Sequence, residues 1–406
     1  MNKRQVSETW RYIAVILIAV TAALCVALFT VINTKINLAR EEAQLKAAGE
    51  NVAETVPETV PAEEAETEAA EVIDISGKAM LGYWSDSAPL KQQLTAYVER
   101  VTDENSSSFI PVDRRIAVFD LDGTLFCETD PIFFVYALLI HRVTEDEGYK
   151  DEASKFEKQT VDKLLKHMEN GTNYENLDDD VGLCIASSFS GITEEELDDY
   201  VQAFKTLPMP GYEGMLRGDS WYLPMIQVVN YLEAHDFTVY IISGTDRMIL
   251  RSVVHNSPVN VPNSHLIGSD RTITASGQGD ADDMEYIFGS DDKILTGGKV
   301  VTTNVQMNKV KAIVREIGVK PVLSFGNSTG DASMEDYVIS GNQYESLAFM
   351  VCCDDLEREN GNLEKAQQMY DMSRERNWIP ISMKNDWTTI YGEGVTRKPA
   401  VVDAAG

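Results

Sequence analysis

The distribution of apolar and polar positions divides the chain into segments of different character. From Tyr12 to Ile32 the sequence YIAVILIAVTAALCVALFTVI carries no charge. Its length matches the roughly 20 residues a helix needs to cross the hydrocarbon core of a bilayer. This predicts a transmembrane anchor over 12–32 after a short polar N-terminus, 1–11. A cleavable signal peptide is the rival reading, with an apolar region of about 7–15 residues and a small-residue cleavage site. Residues 33–77 are built largely from Glu, Ala, Thr, Pro and Val. Too few large apolar side chains occur there to offset the entropy of ordering, so the segment is expected to be an acidic, disordered tether.

Folded sequence is expected over 78–406. Pro89 followed by Leu90, Leu94, Tyr97, Val98 and Val101 has the opening and the apolar spacing of a helix. Three short apolar runs, Ile116–Phe119, Val239–Ile242 and Val322–Phe325, read as strands buried on both faces, and Leu347–Cys353 reads as a fourth. Helical patterns separate them, which predicts an α/β fold with a parallel, Rossmann-like sheet. Between the first two strands lies a mainly helical insertion, about 127–236. It contains Ile132–Ile140, Glu152–Met168 and a capping-box start at Thr193 and Glu196. Residues 270–303, with glycines at 277, 279, 297 and 298, suggest a β-hairpin flap.

Charge narrows the possible functions. The chain carries 35 Lys+Arg against 65 Asp+Glu, a net charge of −30. Such a surface repels phosphate backbones, which argues against nucleic-acid binding. Five cysteines without a C-x-x-C pair, and five histidines without metal-ligand spacing, give no sign of a zinc site or a disulfide framework. Lys3, Arg4 and Arg11 precede the apolar span while Lys35 and Arg40 follow it, a small bias toward a cytoplasmic N-terminus and an extracytoplasmic folded domain.

The chemistry-bearing signal is Val118-Phe-Asp120-Leu-Asp122-Gly-Thr124-Leu125. A buried strand would deliver Asp120 and Asp122 to its carboxyl end, where open α/β sheets bind ligands, and Gly123 would let backbone amides approach an anion. Three further strings follow in order: Ser243-Gly244-Thr245 after the second strand, Lys309 within Gln306–Val310, and Gly326-Asn327-Ser-Thr-Gly-Asp331 after the third.

Together these resemble the four motifs of the haloacid dehalogenase superfamily, in particular the phosphoserine-phosphatase-like branch with a helical cap. The resemblance covers roughly 78–406. It implies a phosphatase in which Asp120 is the nucleophile and Asp122 the general acid and base, one group opening the ester and the other moving the protons. It further implies that Thr124, Ser243, Gly244 and Lys309 hold the phosphate of a small phosphorylated substrate. Mg2+ would be bound by Asp120, Asp122, Asn327 and Asp331. Lys299 and Lys311 compete with Lys309 for the cationic role. Asn327 departs from the G-D-x-x-x-D pattern and offers a neutral oxygen in place of a charged one, which implies weaker metal binding. Phe126-Cys-Glu128-Thr129 is similar to a string in which a glutamate contacts the substrate's amine, although a solvated loop acid is an equal reading of Glu128. A dehalogenase-type hydrolase and a catalytically weak tethered binding protein remain alternatives on the same fold.

Overall fold

The computed structural model describes residues 81–130 and 132–398. The expected anchor at 12–32 and tether at 33–77 lie outside the described residues. Among the described residues no helix is long and apolar enough to cross a membrane.

Among the described residues nine strands occur: β1 Ile116–Phe119, β2 Tyr212–Glu213, β3 Thr238–Asp246, β4 Leu266–Ala275, β5 Ile294–Thr302, β6 Leu323–Gly326, β7 Leu347–Cys352, β8 Ile379–Ser382 and β9 Thr396–Arg397. Seven form one sheet in the order β5-β4-β3-β1-β6-β7-β8, and β2 and β9 pair separately. All neighbours in the large sheet are parallel except β4 and β5. The result is a Rossmann-like α/β sheet with β1 at its centre. Every residue of β1 and β6 is buried, which is why both read as short apolar runs, broken in β6 only by Ser324, whose hydroxyl bonds to Glu335. β8 left no such signature, since Pro380 interrupts it. It lies at the sheet's edge, where the missing N–H is tolerated.

The Pro89–Thr102 helix buries Leu90, Leu94, Tyr97, Val98 and Val101, the stripe that its spacing predicts. Four helices, Phe134–Thr144, Lys155–Asn170, Leu177–Ser188 and Glu194–Lys205, lie between β1 and β2 among the described residues. The expected capping box opens the last of them: the Thr193 hydroxyl accepts from the Glu196 N–H and the Glu196 carboxylate accepts from the Thr193 N–H. Its C-terminal Lys205 is buried and donates to the carbonyls of Val253 (3.0 Å) and His255 (2.6 Å) at the end of the Arg247–Val254 helix, tying the insertion to the core. The Leu223–Glu233 helix packs against β3.

The expected hairpin forms, but as an extension of the sheet. β4 continues from Leu266 and Ile267, paired with β3, into its antiparallel pairing with β5. Gly297 and Gly298 lie inside β5 and make no turn. A Cβ at Gly297 would come within 2.2 Å of the Thr272 hydroxyl oxygen, so close approach of the neighbouring strand calls for glycine there.

Candidate active site

The carboxyl ends of β1, β3 and β6 open into a cavity of about 760 Å3, whose far wall is supplied by Phe133, Tyr136 and the Leu177–Ser188 helix. Asp120 leaves β1 while still in the ladder, its N–H donating to the Phe325 carbonyl at 2.9 Å. The chain then turns sharply: the N–H groups of Thr124, Leu125 and Phe126 converge on the Leu121 carbonyl. Gly123 adopts φ +84°, and a Cβ there would lie 1.8 Å from Asn327 Nδ2. Only glycine lets the loop after β1 pack on the loop after β6.

Lys309, on the Met307–Ala312 helix, reaches between two carboxylates. Its Nζ lies 2.5 Å from Asp120 Oδ1 and 2.6 Å from Asp331 Oδ1. The other oxygen of Asp331 accepts from the backbone N–H groups of Asn327 (3.0 Å) and Ser328 (3.1 Å), which ties the β6 loop to the start of the Ala332–Ile339 helix. Asp122 accepts a hydrogen bond from the Thr245 hydroxyl at 2.8 Å. Burial, with the nearby charge of Asp331, pushes the Asp120 carboxyl above its usual range, and the adjoining Lys309 ammonium pulls the other way. Burial raises Asp122 to about 7, so this group can hold a proton near neutrality and give it up. Burial works against the charge of Lys309, but Asp120 and Asp331 outweigh it and hold the ammonium's pKa above its usual value.

Of the residues singled out from the sequence, Asp120, Asp122, Glu128, Gly244, Lys309, Asn327 and Asp331 meet around this cavity. Lys299 is exposed and Lys311 donates to the Asn308 side chain at 3.1 Å, leaving Lys309 as the lysine beside Asp120. Ser243 and Thr124 are fully buried and do not line the cavity. The Ser243 hydroxyl instead accepts from the Thr245 N–H at 3.0 Å, and it is the Thr245 side chain that reaches the cavity. Glu128 pairs with Lys365 of the Leu363–Arg376 helix and accepts from Asn327 Nδ2 at 3.1 Å. Thr245 closes the recognised string Ser243-Gly244-Thr245 but carried no role of its own there. Lys365 lies in an ordinary helical sequence with no signal of its own.

The oxygen donors here suit a hard divalent cation: two carboxylates share a single ammonium, and the Asn327 amide adjoins them. Among the described residues no group of three or more His, Cys, Asp or Glu is arranged to hold a metal ion. A cation between Asp120 and Asp331 would therefore also need neutral oxygens, from the Asn327 side chain and from the Asp122 backbone carbonyl.

No protein-family model matches the chain, and no curated protein matches it. Solved structures do. A Bordetella pertussis Tohama I protein of unknown function is 16% identical over 66% of this chain and 98% of its own, with a TM-score of 0.42. Cytosolic 5'-nucleotidase IIIB bound to cytidine is 11% identical over 78% of this chain and 93% of its own, with a TM-score of 0.43. A substrate-bound phosphoserine phosphatase is 12% identical over 66% and 92%, with a TM-score of 0.33.

Proposed function

We propose that the chain is a membrane-tethered, Mg2+-dependent phosphomonoesterase of the haloacid dehalogenase superfamily, acting on a small phosphorylated metabolite. The observation that carries this reading is the meeting of Asp120 with Lys309 at the end of the central strand, with Asp122 held by Thr245 in the same cavity. Asp120 attacks phosphorus through a carboxylate oxygen, and the ester's P–O bond breaks as the new bond forms. Asp122 gives its proton to the departing oxygen, and the product alcohol leaves. Water then adds to the aspartyl phosphate, Asp122 takes the proton back, and the bond to Asp120 breaks to release inorganic phosphate.

A carboxylate approaching a phosphate dianion is opposed by roughly 4 kcal/mol per charge pair at 4 Å and an effective dielectric of about 20. Lys309 offsets part of this. Mg2+, when bound, supplies further positive charge on the phosphoryl oxygens, and Asp120, Asp331, Asn327 and the Asp122 carbonyl would hold it. A proton donor two residues after the nucleophile favours phosphate esters over carbon–halogen bonds, whose leaving group needs no proton. The cavity volume lies in the range of small-molecule sites. The uncharged span 12–32 and the basic residues before it support anchoring with the folded domain on the extracytoplasmic side.

The test is a panel of phosphate monoesters assayed with Mg2+ or with EDTA. Asp120→Asn should lose turnover with an unchanged circular dichroism spectrum, and EDTA should silence the wild type. Normal turnover in folded Asp120→Asn would refute the assignment.

A further inference from the structure

The feature that the proposed chemistry leaves unexplained is the set of contacts around Asn327. This side chain is only 4% exposed. Its Nδ2 donates to Glu128 Oε1 at 3.1 Å, while its Oδ1 accepts no hydrogen bond from any described residue, although the side chain lines the cavity. The same nitrogen is the amide atom nearest Gly123, 1.8 Å from where a Cβ would stand. Glu128 in turn is paired with Lys365 through the same carboxylate oxygen.

An amide has one donating and one accepting end, and a carboxylate can only accept. Facing Glu128, the nitrogen of Asn327 is attractive and its oxygen would be repelled, so Glu128 decides which end points where. With Nδ2 turned to Glu128, Oδ1 occupies the opposite branch of the amide. Lys365 neutralises Glu128, which otherwise would place another net negative charge beside Asp120, Asp122 and Asp331. The pairing also accounts for the asparagine itself: a carboxylate at 327 would confront that of Glu128 at hydrogen-bond distance.

We infer that Glu128 and Lys365 form an orienting pair that fixes the Asn327 amide so that its carbonyl oxygen is presented to the divalent cation, and that Glu128 is a positioning residue which does not touch substrate. The inference rests on the phosphatase reading only in taking a cation to sit beside Asp120 and Asp331. Partners that orient metal ligands typically contribute about 10–100-fold to affinity.

The experiment is a double-mutant cycle read by Mn2+ binding to the full-length chain, following the electron paramagnetic resonance signal of free Mn2+ without any turnover. Glu128→Ala should weaken Mn2+ binding about tenfold. Asn327→Asp should fail to tighten it in the wild-type background, where Glu128 opposes the new carboxylate, yet should tighten it about tenfold or more when combined with Glu128→Ala. A tightening that appears only once Glu128 is removed is not expected from a merely structural role. Glu128→Gln has nearly the same shape and can donate to a carboxylate at 327, so it replaces Glu128→Ala in the cycle if that variant does not fold. Equal tightening by Asn327→Asp in both backgrounds would overturn the inference. So would an unchanged Mn2+ affinity in Glu128→Ala together with a raised KM for phosphate esters, which would make Glu128 a substrate contact. Absence of Mn2+ binding in the wild type would overturn both this inference and the cation's part in the proposed function, whereas the other two results leave the phosphatase reading standing.

Discussion

Replacing Lys309 with methionine removes one positive charge from a buried site while keeping most of the apolar stem that fills the space. The two carboxylate oxygens it bridges lie 2.5 and 2.6 Å from the same nitrogen, so they are at most about 5.1 Å apart. At that separation two unit negative charges repel by roughly 3 kcal/mol at an effective dielectric of about 20. Breaking a buried ion pair by deleting one partner costs about 3–5 kcal/mol in general, which agrees with that figure. Lys309→Met should therefore lose up to about 3 kcal/mol of unfolding free energy in EDTA, measured by urea denaturation, with the loss growing as the pH is raised and both carboxyl groups ionise. Excess Mg2+ should return part of the loss, because a cation between Asp120 and Asp331 supplies the charge that the lysine no longer does. A Lys309→Met protein as stable as the wild type in EDTA, and indifferent to Mg2+, would refute the reasoning, because two buried carboxylates would then be facing each other at no cost.

Two further outcomes are expected. Glu359 is buried against Tyr391 and Cys127, and burial pushes its carboxyl from 4.5 up to about 7. A raised folded-state pKa gives stability that is fully present below about pH 4.5 and is lost as the pH rises through about 7, here about 3 kcal/mol. Glu359→Gln cannot ionise, so its stability relative to the wild type should improve by about that amount between pH 4.5 and pH 8 in urea titrations, and a constant difference would contradict the assignment. Protease added to intact cells, or to protoplasts where a wall intervenes, should cut the Glu-rich segment 33–77 and release an active fragment; protection until the membrane is lysed would place the enzyme on the cytoplasmic face.

Much of the sheet was legible because its central strands are buried on both faces and read as apolar runs. β3 extends four residues beyond its apolar run, since Ser243 to Asp246 stay in strand geometry through an irregular pairing in which Asp246 meets Ser269 of β4. Local pattern does not encode that contact. The Leu177–Ser188 helix escaped notice for a related reason: it carries Gly182 in its interior, so its helicity depends in part on packing against the neighbouring Lys155–Asn170 helix and β5. In the site, Asp120, Asp122, Lys309 and Asp331 stood at ordered spacings after strands. Burial separates Ser243 from the cavity and substitutes Thr245, and Lys365 arrives from a helix 237 residues away from Glu128. Neither distinction is written in residue type.

The position of β1 has a consequence for how this protein comes into being. Its two partners begin at Thr238 and Leu323, so the central strand, made early in synthesis, has neither neighbour until most of the chain has been translated. Asp120 waits still longer for company, because Lys309 follows it by 189 residues and Asp331 comes later again. Such long-range closures are entropically costly and slow. On refolding, the Lys309–Asp120 contact should therefore report a late, non-local stage of assembly, and a nascent or truncated chain that stops before residue 309 would expose an acidic loop without the lysine and carboxylate that complete it.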